Sequence, residues 1–163
     1  MAVVESKQFI HAPRDEVYLA SQDYDQRTDW DPFPDEIRLE KPELGICVNQ
    51  HAFIRAHSGL SMEVEFIQVS PRSTSIRMVH GPFFLDRFAG SWLFEDRNGI
   101  TFARFKYVLT LKKWMLPWLT EWVAGWYFQK QTDKRLAALK AWCESRRSGQ
   151  VQVFQPQSPC VKH

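Results

Sequence analysis

The stretch ITFARFKYVLTLKKWMLPWLTEWVAGWYFQK, residues 100–130, changes its period midway. Up to Lys112 it alternates. Ala103, Phe105, Tyr107, Leu109 and Leu111 fall on one face, with Arg104, Lys106 and Thr110 on the other. Period two with one apolar face is the pattern of a half-covered strand. After Pro117 the spacing becomes helical. Leu119, Trp122, Trp126, Gln129, Asp133, Leu136, Leu139 or Lys140, and Cys143 advance by three or four residues. The helix is expected over Trp118–Ser145, with Arg146, Arg147 and Gly149 suited to its end. A strand with one apolar face requires a cover, and a helix of about 40 Å is the largest candidate for it.

Upstream, strand signals continue. Asp96-Arg-Asn-Gly99 is a hairpin turn, since Asn-Gly tolerates positive φ. Phe88–Phe94, Ser73–His80 and Met62–Phe66 are strands, punctuated by Gly81-Pro82 and Pro71. Alternation turns Met62, Val64, Phe66, Thr74, Ile76, Met78, His80, Phe88, Gly90, Trp92 and Phe94 inward. It leaves Glu63, Glu65, Arg77, Arg104 and Lys106 in solvent. The segment 46–57 admits two phases. With Ile46, Val48, Ala52, Ile54 and Ala56 inside, His51, Arg55 and His57 are solvated. In the reverse phase, His51 and Arg55 enter the interior as an acid–base and oxyanion-holding pair. Either way, His51 and His57 are about 20 Å apart on a strand and build no metal site alone.

The N-terminal part is a strand over residues 3–12, then a helix opened by Pro13 with Asp15 and Glu16 in its first turn. A second short helix covers Asp25–Trp30 and ends at the DPFP of residues 31–34. The fold class is therefore α+β: a strand, two short helices, about six antiparallel strands, and one long C-terminal helix as the cover for the sheet's apolar face. The whole is read as one domain, 1–147, followed by a disordered polar tail, 148–163.

Composition narrows the function classes. The 163 residues are 44% hydrophobic and 25% charged, with a net charge of +2 and no long basic run, which argues against nucleic acid as a partner. Aromatic residues reach 14%, enough to supply a bulky core or a large apolar surface. Three distant cysteines, Cys47, Cys143 and Cys160, form neither a disulfide framework nor a zinc site and fit a reducing compartment. The N-terminus lacks the pattern of a signal peptide, and no apolar run reaches the length of a spanning helix, so a cytoplasmic protein is expected. Phosphate loops, dinucleotide fingerprints, nucleophile elbows and zinc-protease motifs are missing, so no cofactor and no metal are expected.

Three stretches carry a family resemblance. They are FIHAPRDEVYLASQDYDQRTDWDP (9–32), HGPFFLDRFAGSWLFEDRNGITFARFKYVLTLK (80–112) and QTDKRLAALKAWCE (131–144). Together with the element order they resemble the START-like (SRPBCC) superfamily of polyketide cyclases, dehydratases and lipid transporters, and are also similar to coenzyme Q-binding proteins. Gly81, Pro82, Phe83 and Trp92 carry the Gly-Pro-Phe turn and the central strand tryptophan of that resemblance. It implies the helix-grip fold, a curved antiparallel sheet of about seven strands wrapped around the long C-terminal helix, with a cavity between sheet and helix for a hydrophobic ligand.

Polar groups on the inward face are the candidates for chemistry, because burial costs free energy unless they are paired. His80 reads either as a surface turn histidine or as a proton donor at a cavity mouth, and Tyr107 either as a core tyrosine with a bonded hydroxyl or as a hydroxyl aimed at a ligand carbonyl, with His51 and Arg55 joining them in the reversed phase. Trp30 is expected to pack, and Asp86 and Arg87 to be solvated. The ligand wall is expected from Phe66, Met78, Trp92, Phe105, Tyr107, Trp118, Trp122, Trp126, Tyr127 and Gln129; Gln129 and Asp133 either close its polar end or reach solvent between helix and sheet. Tryptophans at 114, 118, 122 and 126 beside Lys112 and Lys113 would also suit a peripheral membrane contact at most. The leading function is binding of a lipid, quinone or polyketide-like molecule for transport or shielding. The alternatives are a cofactor-independent cyclase, aromatase or dehydratase in the same cavity, and a module that docks a protein partner. The sequence leaves oligomeric state open.

Overall fold

The computed structural model describes residues 1–114 and 117–148, with the side chains of 117–121 and 148 left undescribed. The expectations for Trp118, Cys160 and the tail after Ser148 lie outside the described residues. In chain order the elements are β1 (Ala2–Ile10), α1 (Arg14–Gln22), α2 (Arg27–Trp30), β2 (Pro34–Leu39) and a single 3₁₀ turn (Pro42–Leu44). Then come β3 (His51–Ala56), β4 (Ser61–Ser70), β5 (Ser73–His80), β6 (Leu85–Arg97), β7 (Ile100–Leu111) and α3 (Pro117–Ser148).

The seven strands form one antiparallel sheet ordered β1-β7-β6-β5-β4-β3-β2. Neighbours in sequence are neighbours in space except β1, which crosses to the far edge beside β7. The β6–β7 hairpin turns on Asn98 and Gly99, both at positive φ, and Asp96 Oδ1 accepts a 3.1 Å hydrogen bond from Gly99 N–H. Register shifts in the β2–β3, β4–β5 and β6–β7 pairings interrupt the ladders. Such irregularities raise local twist and curl a sheet toward its covered face.

Alternation on β7 is realised along the whole strand. Phe105, Tyr107, Leu109 and Leu111 are buried, and the intervening residues are half-exposed. Across from them on β6, Trp92 pairs with Phe105 and Gly90 with Tyr107. Glycine is required at 90 by contact: a Cβ there would fall 2.9 Å from the Tyr107 ring.

α3 packs chiefly on β1 and β7. Its buried stripe is Phe128, Thr132, Arg135, Leu136, Leu139 and Cys143, with Ala124 and Tyr127 half-buried. The sequence-based stripe agrees from Leu136 onward and at Gln129, and differs at Trp122 and Trp126. Trp122 and Trp126 are 71% and 60% exposed and point away from the sheet. The cause is that this half of the helix is apolar all round, so hydrophobicity does not fix its phase. Small residues set the phase instead: Gly125 lies 4.0 Å from Ala2 Cβ, measured from an ideal Cβ position, and indole rings would not fit there.

Gln129 holds the helix to the sheet edge. Its amide Nε2 donates to Glu5 O at 2.9 Å, and its Oε1 accepts from Glu5 N–H at 3.2 Å. The amide thus satisfies the outward peptide groups of an edge strand as a neighbouring strand would. Ser6 Oγ reinforces the join by donating to the Asp133 carboxylate, with Thr132 Oγ1 3.1 Å away. Gln129 and Asp133 are therefore docking residues. The expectation that they close the polar end of a cavity is corrected.

Candidate functional site: a buried arginine–aspartate cluster at the end of an apolar cavity

Among the described residues, two small chambers lie between α3 and the sheet. The larger has a volume of about 30 Å³, and its walls include Phe88, Trp92, Phe105, Ile54, Met62 and Ile76. The smaller, about 20 Å³, runs between Ile54, Leu60, Phe84, Leu85, Tyr127 and Phe128. Phe33, Ile54 and Met62 belong to both. At roughly 10–15 Å³ per water centre, the larger chamber holds about two waters. Its walls are unequal. Trp92, Phe105, Tyr107 and Phe88 are buried and packed in aromatic contacts, Trp92 stacking on Phe105 at 3.8 Å between ring centroids. Phe33, Ile37, Ile54, Met62 and Ile76, on the opposite side, are only partly covered.

One end of the larger chamber is polar. Asp31, at the C-terminal cap of α2, is fully buried between two arginines. Arg27, one turn earlier, donates from Nε to Asp31 Oδ2 at 3.0 Å and from Nη1 to the Ser21 carbonyl at 2.6 Å. Arg135 of α3 grips both carboxylate oxygens, Nε to Oδ1 at 3.0 Å and Nη2 to Oδ2 at 2.7 Å. Its Nη1 donates to the Tyr107 hydroxyl. Phe33 N–H completes the carboxylate at 3.1 Å. Aromatic rings cover the cations: Trp30 and Trp92 lie 5.5 and 5.6 Å from the Arg27 guanidinium carbon, and Phe33 and Phe105 lie 4.8 and 5.0 Å from that of Arg135.

Electrostatics follow from this geometry. Burial pushes the Asp31 carboxyl up, but the charges of Arg135 and Arg27 outweigh it and hold the group below the usual carboxylate range. Burial works against the Arg135 cation, and Asp31 more than restores it. Burial raises Tyr107 above an ordinary phenol, with Arg135 opposing, so the hydroxyl stays protonated near neutrality. Two guanidinium charges against one carboxylate leave the cluster with one net positive charge under apolar cover.

Beside this cluster, Gln22 at the end of α1 lines the chamber at 9% exposure. Its Nε2 donates to Ser21 Oγ at 2.8 Å, and its Oε1 is buried without a hydrogen-bond partner. A buried acceptor without a donor costs free energy unless something supplies one.

The residues expected from sequence divide accordingly. Trp92, Phe105 and Tyr107 meet at the larger chamber, and Tyr127 lines the smaller one. Phe66 is buried in a separate cluster with Ala52 and Val64, edge-on to Tyr24, and lines neither chamber. Met78 is half-buried against the core and also lines neither. His80, expected inward, is exposed at the end of β5, where the β4–β5 pairing has slipped past a bulge. The strand 51–56 takes the phase with Ala52, Ile54 and Ala56 inside. His51 and Arg55 therefore lie on the outer face. His51 Nδ1 sits 2.7 Å from Glu63 Oε1, a contact that raises the imidazole's pKa. Arg55 binds Asp35 and Glu36 at 3.1 and 2.9 Å. Neither reaches the cavity, and the reversed phase is excluded.

Arg27, Asp31 and Arg135, the main polar feature of the interior, were missed as a group. One signal was available: Arg27 and Asp31 are spaced i,i+4, and Arg135 sits beside Leu136 on the true inward stripe.

The fold matches known structures. The aromatase/cyclase Zhui from Streptomyces sp. R1128 superposes with a TM-score of 0.77 at 15% identity, over 91% of this chain and 98% of that one. The di-domain aromatase/cyclase StfQ from the steffimycin biosynthetic pathway gives 0.74 at 15% identity, over 90% of this chain and 52% of that one. A protein of Thermus thermophilus gives 0.74 at 14% identity, over 88% of this chain and 97% of that one. At these identities the likeness is one of fold. No curated protein matches in sequence. Residues 1–144, with the curled seven-stranded sheet and its gripping helix, match the family described as polyketide cyclase/dehydrase and lipid transport, and the chain belongs to that family.

Proposed function

We propose that this protein binds a hydrophobic small molecule, lipid, quinone or polyketide-like, between the sheet and α3, and carries or shields it in the cytoplasm. The main support is the pairing of an aromatic-walled chamber with an unsatisfied polar end. Gln22 Oε1 lacks a donor, and the Tyr107 hydroxyl, already accepting from Arg135, has its own hydrogen to give. A ligand hydroxyl answers both, donating to Gln22 and accepting from Tyr107. The ligand's apolar body then lies along Trp92 and Phe105, where burial contributes about 25 cal/mol per Å².

The chamber's present volume means that a ligand must push the walls apart. The half-covered side, Phe33, Ile37, Ile54 and Met62, is where that movement costs least, because fewer contacts are lost there. Binding of this kind orders the same residues it displaces.

Calorimetry with a matched pair of probes tests the reading. 2-Naphthol should bind at least about tenfold tighter than naphthalene, as expected for one well-made buried hydrogen bond or more. Gln22→Leu and Tyr107→Phe should each shrink that difference. Equal affinities for the two probes, or binding unaltered in both variants, would contradict it.

A second reading, cyclase-type catalysis, rests on the Arg135–Tyr107 contact. A phenol backed by a guanidinium in a buried site can hold a carbonyl oxygen as charge develops on it. Turnover of a linear poly-β-ketone that Tyr107→Phe slows by about a hundredfold would add catalysis to binding.

A further inference from the structure

The tryptophans expected at the cavity stand on the outer surface. Trp122 and Trp126, one turn apart on the outer face of α3, are flanked by Val123, also exposed. Trp114, 67% exposed, stacks on Phe83, 70% exposed, at 6.1 Å between centroids and 14° between planes. The two segments are held together by Lys112 N–H donating to the Phe84 carbonyl at 3.0 Å. Basic residues stand among the rings. Lys112 and Lys113 are exposed beside Trp114, and Lys130 Nζ lies 5.2 Å from the Trp126 ring. The other large face of α3 is already spent on the core, through Phe128, Leu136 and Leu139.

We propose that these exposed tryptophans and lysines dock the protein on the surface of an anionic lipid bilayer. Indole rings with a polar N–H settle at the headgroup level, and lysines reach past them to lipid phosphates. A protein partner suits the patch less well, since lysine is depleted in the cores of protein interfaces. Pairing with a second copy would set the lysines of each molecule against those of the other. No helix among the described residues is long and apolar enough to cross a membrane, so the contact is one of lying on the surface. Phe84 and Tyr127, chain neighbours of Phe83 and Trp126, line the smaller chamber, so docking here places that chamber close to the bilayer. The docking does not depend on which molecule the cavity takes, or on whether it takes one.

Co-sedimentation of the full chain with vesicles tests this without any added ligand. Phosphatidylcholine vesicles containing phosphatidylglycerol should bind the protein and blue-shift its tryptophan emission, and phosphatidylcholine alone should bind it weakly. Trp122→Ser with Trp126→Ser should cut partitioning about tenfold or more. Lys112→Gln, Lys113→Gln and Lys130→Gln should each cost about fivefold, and added salt should weaken the wild type. All these residues are exposed, so unchanged circular dichroism and thermal melting serve as the folding control. Absence of binding to anionic vesicles would overturn the proposal. So would binding that survives the double tryptophan substitution, or a dimer in sedimentation that the same substitution abolishes.

Discussion

At the scale of single residues, Asp31 carries the most. Its carboxylate satisfies two buried guanidinium groups at once, so its loss strands charge in an apolar interior. Asp31→Asn should lower unfolding free energy by about 3–5 kcal/mol, measured by urea denaturation. The native carboxyl titrates below its unfolded value, so its stabilisation is present above about pH 4 and is lost as pH falls through the native pKa. The wild type should therefore lose stability in that acid window more steeply than Asp31→Asn; parallel acid profiles would contradict the assignment. The charged triad was hard to read from sequence because an isolated Arg or Asp defaults to solvent. Only closure of α2 onto α3 shows that these three cannot reach it. Tyr107, by contrast, was legible, since strict alternation on β7 left its ring no other side.

At the scale of elements, the contrast between the strands and the long helix is instructive. Alternation assigned the inner face of β6 and β7, because there one face was clearly more polar; over residues 51–56 both faces mix polar and apolar groups, so two phases stood open and packing decides between them. His80 failed because a bulge between β4 and β5 breaks that counting rule near the strand end. The first half of α3 failed for a different reason: with tryptophan, valine, alanine and phenylalanine all round, nothing in hydrophobicity orients it. Packing orients it, through the small residues that meet β1 and through Gln129. That glutamine is a measurable part of the assembly. Gln129→Ala should cost about 1–3 kcal/mol, because it leaves both Glu5 peptide groups at the sheet edge without their partner. Amide exchange at Glu5 should quicken with it; an unaltered rate would show that the edge is held by Ser6 and Thr132 instead.

At the scale of the whole molecule, a curled sheet holds a helix along β1 and β7 and stands away from it near β2–β4, and the space between is where the chemistry gathers. The aromatic floor, the arginine–aspartate end and the unpaired Gln22 oxygen converge there from α1, α2, β6, β7 and α3. The outer tryptophans belong to a separate surface. That division yields the most direct test of the account. The chain has seven tryptophans, and each gives one indole N–H signal in a ¹⁵N–¹H correlation spectrum. On titration with 2-naphthol, the Trp92 signal should shift in a saturable way, while those of Trp122 and Trp126 stay in place, and Tyr107→Phe should weaken the response. Shifts confined to the exposed tryptophans, or no saturable shift at Trp92, would contradict a ligand cavity between sheet and helix.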